Sequence, residues 1–285
     1  MEPLSDVVAA SLRASNSNTN DNLLKLKEKK ETPDPVTCPT CGDTMKYGDA
    51  PSVVGPLFFY YREKCQCEKQ RAAQIEREQY QRRQLALWDA SMLTGELREK
   101  RLHTLLPMLG TELALVVARS YVDEWPSRRG LIFTGGVGCG KTHLVCGIAA
   151  ALLEQSVSVL YVNWPEYARR MKDSWGHDGS TFARFDPTDW RLLILDDLAQ
   201  EHEPLSTAME AELLAIVEAR ELRSLPTLAT TNVTKAEFVI RLGARIADRL
   251  LGRCEWVANT AASYRTRSKR GREDEYGIDS CADGT

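Results

Sequence analysis

The sequence has no long apolar run, no marked excess of either charge and no internal repeat. Its longest hydrophobic stretches fall far short of the roughly 20 residues a helical bilayer span needs, so no membrane-spanning segment is expected. The opening "MEPLSDVVAASLRASNSNTNDNLL" has no basic start followed by an apolar core, which argues against a secretory leader. A net charge of −3 excludes a surface that coats nucleic acid throughout, leaving only local basic patches for such contact. A soluble, cytoplasmic protein is expected.

Cysteine is present: there are eight, four of them at metal-ligand spacing and one inside a glycine-rich loop, a pattern that suits a reducing compartment. The 43% hydrophobic content over 285 residues is enough for one large domain and a small one. Residues 1–37 read as a flexible arm, Ser/Asn-rich, then Lys/Glu-rich with one short helix at Asn22–Glu31, then broken by "TPDPV". A cysteine module follows at 38–67. Residues 68–104 read as a helical, solvated linker, because "EKQRAAQIEREQYQRRQLALWDASM" holds good helix formers and no Gly or Pro. From 105 to 268 strand-like runs alternate with helical ones. The runs "GLIFTG", "VSVLYVN", "WRLLILDD", "LPTLATTN" and "RCEWVA" predict an α/β fold with a five-stranded parallel sheet. Residues 269–285 read as a flexible, charged tail.

Between the first strand and the next helix lies "TGGVGCGKTH". Gly135-x4-Gly140-Lys141-Thr142 is a complete phosphate-binding loop in the strand–loop–helix setting such a loop requires. Gly135, Gly136, Val137, Gly138, Cys139, Gly140, Lys141, Thr142 and His143 are therefore the expected nucleotide contacts. Glycines let amide N–H groups turn toward phosphates, and the following helix directs its positive end at them. Lys141 suits the β- and γ-phosphates, the Thr142 hydroxyl suits Mg²⁺, and Cys139 is expected to fill space. The run "LLILDD" ends a buried strand in two acids. Asp196 is expected to hold Mg²⁺ and Asp197 to orient or deprotonate water, the alternative for Asp197 being a helix N-cap. Asn232, ending "ATTN", is a candidate to stand between the acids and the γ-phosphate.

These motifs, followed by "GARIADRLLGRCEWVANTAASYRTRS", resemble the DnaC/DnaI helicase-loader family of AAA+ ATPases, with the transposition helper IstB as a relative. The resemblance covers roughly residues 105–268. It implies that Arg249 is an arginine finger reaching a neighbouring subunit's ATP, with Arg245 one turn earlier, and that Arg265 senses the subunit's own nucleotide. Surface ion pairs with Asp248 or Glu255 are the competing role for Arg245 and Arg249. The resemblance also implies DNA contacts near "WPEYARRMKDSWGHDGSTFARF". There Arg169, Arg170 and Lys172 lie among Trp164, Tyr167 and Trp175, as a single-stranded DNA platform would require; a helix with its aromatics turned inward would read the same way.

In the cysteine module, Cys38-x2-Cys41 and Cys65-x-Cys67 flank a 23-residue gap. Four thiolates suit a closed, structural zinc site, with free thiols or an iron–sulfur cluster as alternatives. The intervening residues read as two short strands around a Gly-Pro turn, with "LFFYY" as a contact surface or as the module's own core. Some loaders of the DnaI type carry such a module ahead of the ATPase and use it to grip the replicative helicase. The resemblance thus implies an ATP-dependent loader that binds a DnaB-type hexamer and single-stranded DNA and self-associates through its AAA+ domain, using ATP, Mg²⁺ and Zn²⁺. The alternatives are a transposition helper, an adaptor that uses ATP only as a switch, and, more remotely, a small-molecule kinase.

Overall fold

The computed structural model describes residues 34–51, 58–174, 185–200 and 205–265. The expected helix at Asn22–Glu31, the Gly-Pro turn, Leu57, Trp175, His177 and the charged tail lie outside them. The chain divides into two compact units, Met1–Gln79 and Tyr80–Thr285.

In the first unit, β1 (Val36–Thr37) pairs antiparallel with β2 (Thr44–Met45), and β3 (Tyr47–Pro51) with β4 (Phe58–Arg62). Between β1 and β2 the chain turns back on itself: Gly42 N–H donates to the Cys38 carbonyl at 2.9 Å and Cys38 N–H to the Asp43 carbonyl at 2.8 Å. Gly42 has φ 71°, which glycine adopts without strain. The described core of this unit consists of Cys38, Met45 and Cys65 with Cys67 packed against it. That is too little apolar surface to stabilise a fold by burial alone. Helix α1 (Gln66–Ala90) follows, with no buried residue along its length.

The second unit starts earlier than residue 105, where the sequence pattern turns α/β. Leu87 and Trp88 pack on its core, Leu93 is 1% exposed, and α2 (Glu96–Glu99) leads into a segment whose Leu105 is also buried. Residues 80–104 are therefore not a free-standing linker. Their apolar positions are spaced too irregularly to stand out from the Gln/Arg-rich background.

The five-stranded sheet is present and wholly parallel. Its strands are β5 (Gly130–Gly135), β6 (Val159–Asn163), β7 (Leu192–Asp196), β8 (Thr227–Thr231) and β9 (Cys254–Asn259), in the spatial order β6-β7-β8-β5-β9. Alternation along the strands feeds two cores, one on each face. Leu131, Phe133, Leu192 and Ile194 face α3 (Glu112–Asp123) and α4 (Lys141–Glu154). Ile132, Leu193 and Leu195 face α5 (Trp164–Ser174), α6 (Thr207–Leu222), α7 (Lys235–Leu242) and α8 (Ala244–Arg253). Each such side chain, taken fully out of water, contributes about 1.5–3 kcal/mol. Ser206 caps α6 by accepting the Met209 N–H, and Thr234 with Glu237 forms a capping box on α7. Because β8 lies between β7 and β5, the carboxyl ends of these three strands are adjacent. In a parallel α/β sheet that edge is where ligands bind.

Candidate nucleotide site and cysteine cluster

The loop after β5 turns through Gly138 and Gly140, whose φ values of 81° and 98° disfavour any side chain. A Cβ at Gly138 would also lie 2.3 Å from Ser263 Oγ. Lys141 is buried, and its Nζ donates to the carbonyls of Gly135 and Gly136, at 2.9 Å each. Cys139 is fully buried, and Asn259 Nδ2 donates to its carbonyl at 2.8 Å. His143 Nε2 lies 2.9 Å from the Arg101 carbonyl, and burial lowers its pKa.

Asp196, 2% exposed, is surrounded by hydroxyls. It accepts from Tyr161 at 2.6 Å, from Thr230 at 2.6 Å and from Thr142 at 3.1 and 3.2 Å. Burial, and then the Asp196 charge, raises the Tyr161 pKa, so the phenol stays a donor. Asp197 sits at φ 61° with its N–H on Thr230 Oγ1 at 2.9 Å. It begins a turn, so the N-cap alternative does not hold: among the described residues the next helix starts at Thr207. Burial first, and Asp196 second, raises the Asp197 carboxyl pKa, while Lys141 opposes the rise. Asn232 Oδ1 is buried without a hydrogen-bond partner.

Lys141, Thr142, Asp197, Asn232 and Arg265 line one cavity of about 580 Å³, which would accommodate a nucleoside triphosphate. Leu105, Leu106 and Tyr264 line it too. Tyr264 is clamped there: its hydroxyl donates to the Leu106 carbonyl at 2.5 Å and its N–H to the Gly138 carbonyl at 3.0 Å. The reading of the sequence missed Tyr161, Thr230, Leu105, Leu106 and Tyr264. Tyr161, Thr230 and Tyr264 lay inside stretches that attracted notice, "VSVLYVN", "ATTN" and "SYRTR", but for other reasons.

Arg245 and Arg249 lie outside this cavity, on α8. Their acceptors are not Asp248 or Glu255 but two acids of α6: Arg249 pairs with Glu218 at 2.9 Å and Glu221 at 2.5 Å, and Arg245 with Glu218 at 2.8 Å. On α5, Trp164 and Tyr167 are buried and stacked 5.6 Å apart, while Arg169 and Arg170 pair with Glu166. The inward-turned alternative holds, and those two rings form no stacking platform. Of "LFFYY", the last four residues form β4.

In the first unit the sulfurs of Cys38, Cys41, Cys65 and Cys67 all lie within 4.8 Å of one another. The Cys65 sulfur is 3.4 Å from that of Cys38 and 3.1 Å from that of Cys67. Backbone N–H groups of Cys41 and Thr40 pull the Cys38 thiol down to about 6, favouring a thiolate. Among the described residues no helix is long and apolar enough to cross a membrane.

The sequence model of the IstB-like ATP binding protein family matches residues 113–272. The chain is 33% identical over 158 residues to the replicative helicase loader DnaC of Escherichia coli (strain K12), a match covering 54% of this chain. It spans 64% of that relative's length, less than two thirds. The crystal structure of the DnaC helicase loader superposes with a TM-score of 0.51 at 23% identity, covering 59% of this chain and all of that one, and so shares the fold. The crystal structure of DnaI gives 0.50 at 25% identity, covering 60% and 94%.

Proposed function

The chain belongs to the IstB-like ATP-binding protein family, and on that premise we propose that it is an ATP-hydrolysing loader of a hexameric replicative DNA helicase. It holds the hexamer, helps place it on single-stranded DNA, and is reset or released when ATP is hydrolysed. The observation that carries this reading is the 33% identity, over 158 residues, to a replicative helicase loader. A cytoplasmic location follows from that role.

In the ATPase, Lys141 and the loop amides bind the β- and γ-phosphates. Thr142 and Asp196 hold Mg²⁺; a carboxylate and a hydroxyl 3.1 Å apart are hard oxygen donors of the kind that ion takes. When bound, it would neutralise phosphate charge. Asp197, a carboxyl desolvated beside Lys141, orients or deprotonates the attacking water, and Asn232, which lines the same cavity, stands between the acids and the γ-phosphate. Arg265 reads the subunit's own phosphates, and Arg249 completes the site of a neighbouring copy. An arginine there stabilises the charge of the departing phosphoryl group and can be worth ~10³-fold in rate.

The four cysteines fit zinc. A tetrahedral site with Zn–S of ~2.3 Å sets its sulfurs about 3.8 Å apart, a spacing within about 1 Å of every distance among these thiols. All four ligands are protein, so the metal would supply folding energy to a unit whose described core is Cys38, Met45 and Cys65 with Cys67 packed against it. This module and the arm before it are the proposed grip on the helicase. The DNA contact rests on the loader reading and no longer on α5. A transposition helper is the second reading, favoured by the name of the family itself.

A helicase-loading assay tests the proposal. Unwinding by a DnaB-type hexamer is measured on closed circular single-stranded DNA carrying one annealed strand. Strand release is expected with the wild-type chain and ATP, and not with Lys141→Ala. Equal release without the chain would overturn the loader reading.

A further inference from the structure

Helix α8 carries Arg245, Arg249 and Arg253 at intervals of four residues, a single stripe. The facing helix α6 carries Glu218 and Glu221, three residues apart. The two rows interlock. Arg249 spans both acids, Nη2 to Glu218 at 2.9 Å and Nη1 to Glu221 at 2.5 Å. Arg245 shares Glu218 at 2.8 Å, and Arg253 donates to the Glu221 carbonyl at 2.8 Å. Arg249 is also the more enclosed arginine, its side chain 32% exposed against 65% for Arg245. Its Nε is buried without a hydrogen-bond partner.

This is an unfavourable arrangement for an arginine that must meet a triphosphate. A guanidinium held between two carboxylates has its charge offset and its Nη donors occupied, so it offers an incoming phosphate little attraction. Arg245, Arg249, Arg253, Glu221 and Asp248 line a shallow depression here, and Glu218, paired with Arg245 and Arg249, brings the acids of the cluster to three against three arginines. To act on a phosphate, Arg249 has to leave at least one of its carboxylates.

We propose that Glu218 and Glu221 form a latch that stores Arg249 on its own subunit, so that the arginine is released only when a second copy of the chain presents its nucleotide. The latch rests on the reading of Arg249 as a residue that acts in trans. Its consequence is a threshold: turnover per subunit rises with protein concentration, and the acids set where the rise begins. Two partly exposed ion pairs, each worth about two- to threefold, place the shift on removing them at roughly 3- to 10-fold in concentration.

Phosphate release is measured across a range of protein concentrations at saturating Mg·ATP. The proteins are the full-length wild type, Glu218→Gln/Glu221→Gln and Arg249→Ala, with binding of a fluorescent ATP analogue and a thermal melt as controls for folding. The double glutamine variant is expected to reach half-maximal turnover at about 3- to 10-fold lower concentration, with the same plateau. A curve that coincides with wild type, moves to higher concentration or has a lower plateau overturns the latch. The Arg249→Ala variant separates the two readings. If it keeps the concentration-dependent rise, or if wild-type turnover per subunit is flat, the trans role of Arg249 fails and the latch fails with it. If the rise is lost in Arg249→Ala but does not shift in the glutamine variant, only the latch fails.

Discussion

Replacing Thr230 with valine keeps the shape of the side chain and removes one hydroxyl. That hydroxyl donates to Asp196 Oδ1 at 2.6 Å and accepts the Asp197 N–H at 2.9 Å, in a residue with no exposed surface. The first bond has a charged acceptor and contributes about 1.5–3 kcal/mol; losing the second strands a backbone N–H in the interior, at about 1–3 kcal/mol. Together the loss is roughly 4 kcal/mol. In a unit the size of Tyr80–Thr285, each kcal/mol moves the melting temperature by about 2–4 °C, so Thr230→Val should melt roughly 10 °C lower. Thr230→Ser keeps the hydroxyl and loses a methyl, about 1 kcal/mol, so its drop should be several-fold smaller. The same hydroxyl anchors both acids, so turnover should fall more than ATP affinity in the valine variant and stay near wild type in the serine one. Circular-dichroism melts with phosphate-release kinetics read both effects. A valine variant that melts within about 2 °C of wild type and turns over normally would refute the reasoning.

Cys38→Ser/Cys41→Ser should lose bound zinc, measured by elemental analysis of the purified protein, while the melt of the ATPase unit is unchanged; wild-type protein without zinc would exclude the metal site. The Asp197 carboxyl has a raised folded-state pKa, so the folded chain holds its proton more tightly than the unfolded chain does. Stability is therefore lost as pH rises from the ordinary Asp value, about 3.9, through the raised one. Asp197→Asn should be more stable than wild type at pH 7, with the difference vanishing near pH ~4, and its turnover should be at least about 100-fold lower; melting temperature against pH checks the first part and phosphate release the second. Lys141→Ala should abolish detectable binding of a fluorescent ATP analogue, because no other cation on the loop reaches the phosphates; retained binding would contradict the assigned cradle.

What the sequence disclosed was local. Four apolar residues ending in two acids mark β7, and a glycine loop between a strand and a helix marks the phosphate cradle. Both patterns are contiguous, and both stand at the carboxyl edge of the sheet. Two of the three hydroxyls on Asp196 come from other strands. Tyr161 and Thr230 meet it only because β6 and β8 flank β7 in the sheet, and nothing within "VLYVN" marks its tyrosine for that task. The partners of Arg249 were misjudged for the same reason. Asp248 and Glu255 are neighbours in the chain, whereas Glu218 and Glu221 arrive through the packing of α6 on α8. The inward face of α5 was legible. Trp164, Tyr167, Ala168 and Met171 recur at helical spacing, and all four are buried. Interspersed arginines gave the segment the look of a nucleic-acid platform, but a charge on the outer face carries no information about the inner one.

The central claim is that this chain grips a replicative helicase, and that the cysteine module does the gripping. Size-exclusion chromatography with a DnaB-type hexamer tests both halves, comparing wild type with Cys38→Ser/Cys41→Ser, with ATP and without. A co-eluting complex that the cysteine variant fails to form is the predicted result. No complex under any nucleotide condition would contradict the loader reading and leave an intact ATP site in the service of a different target.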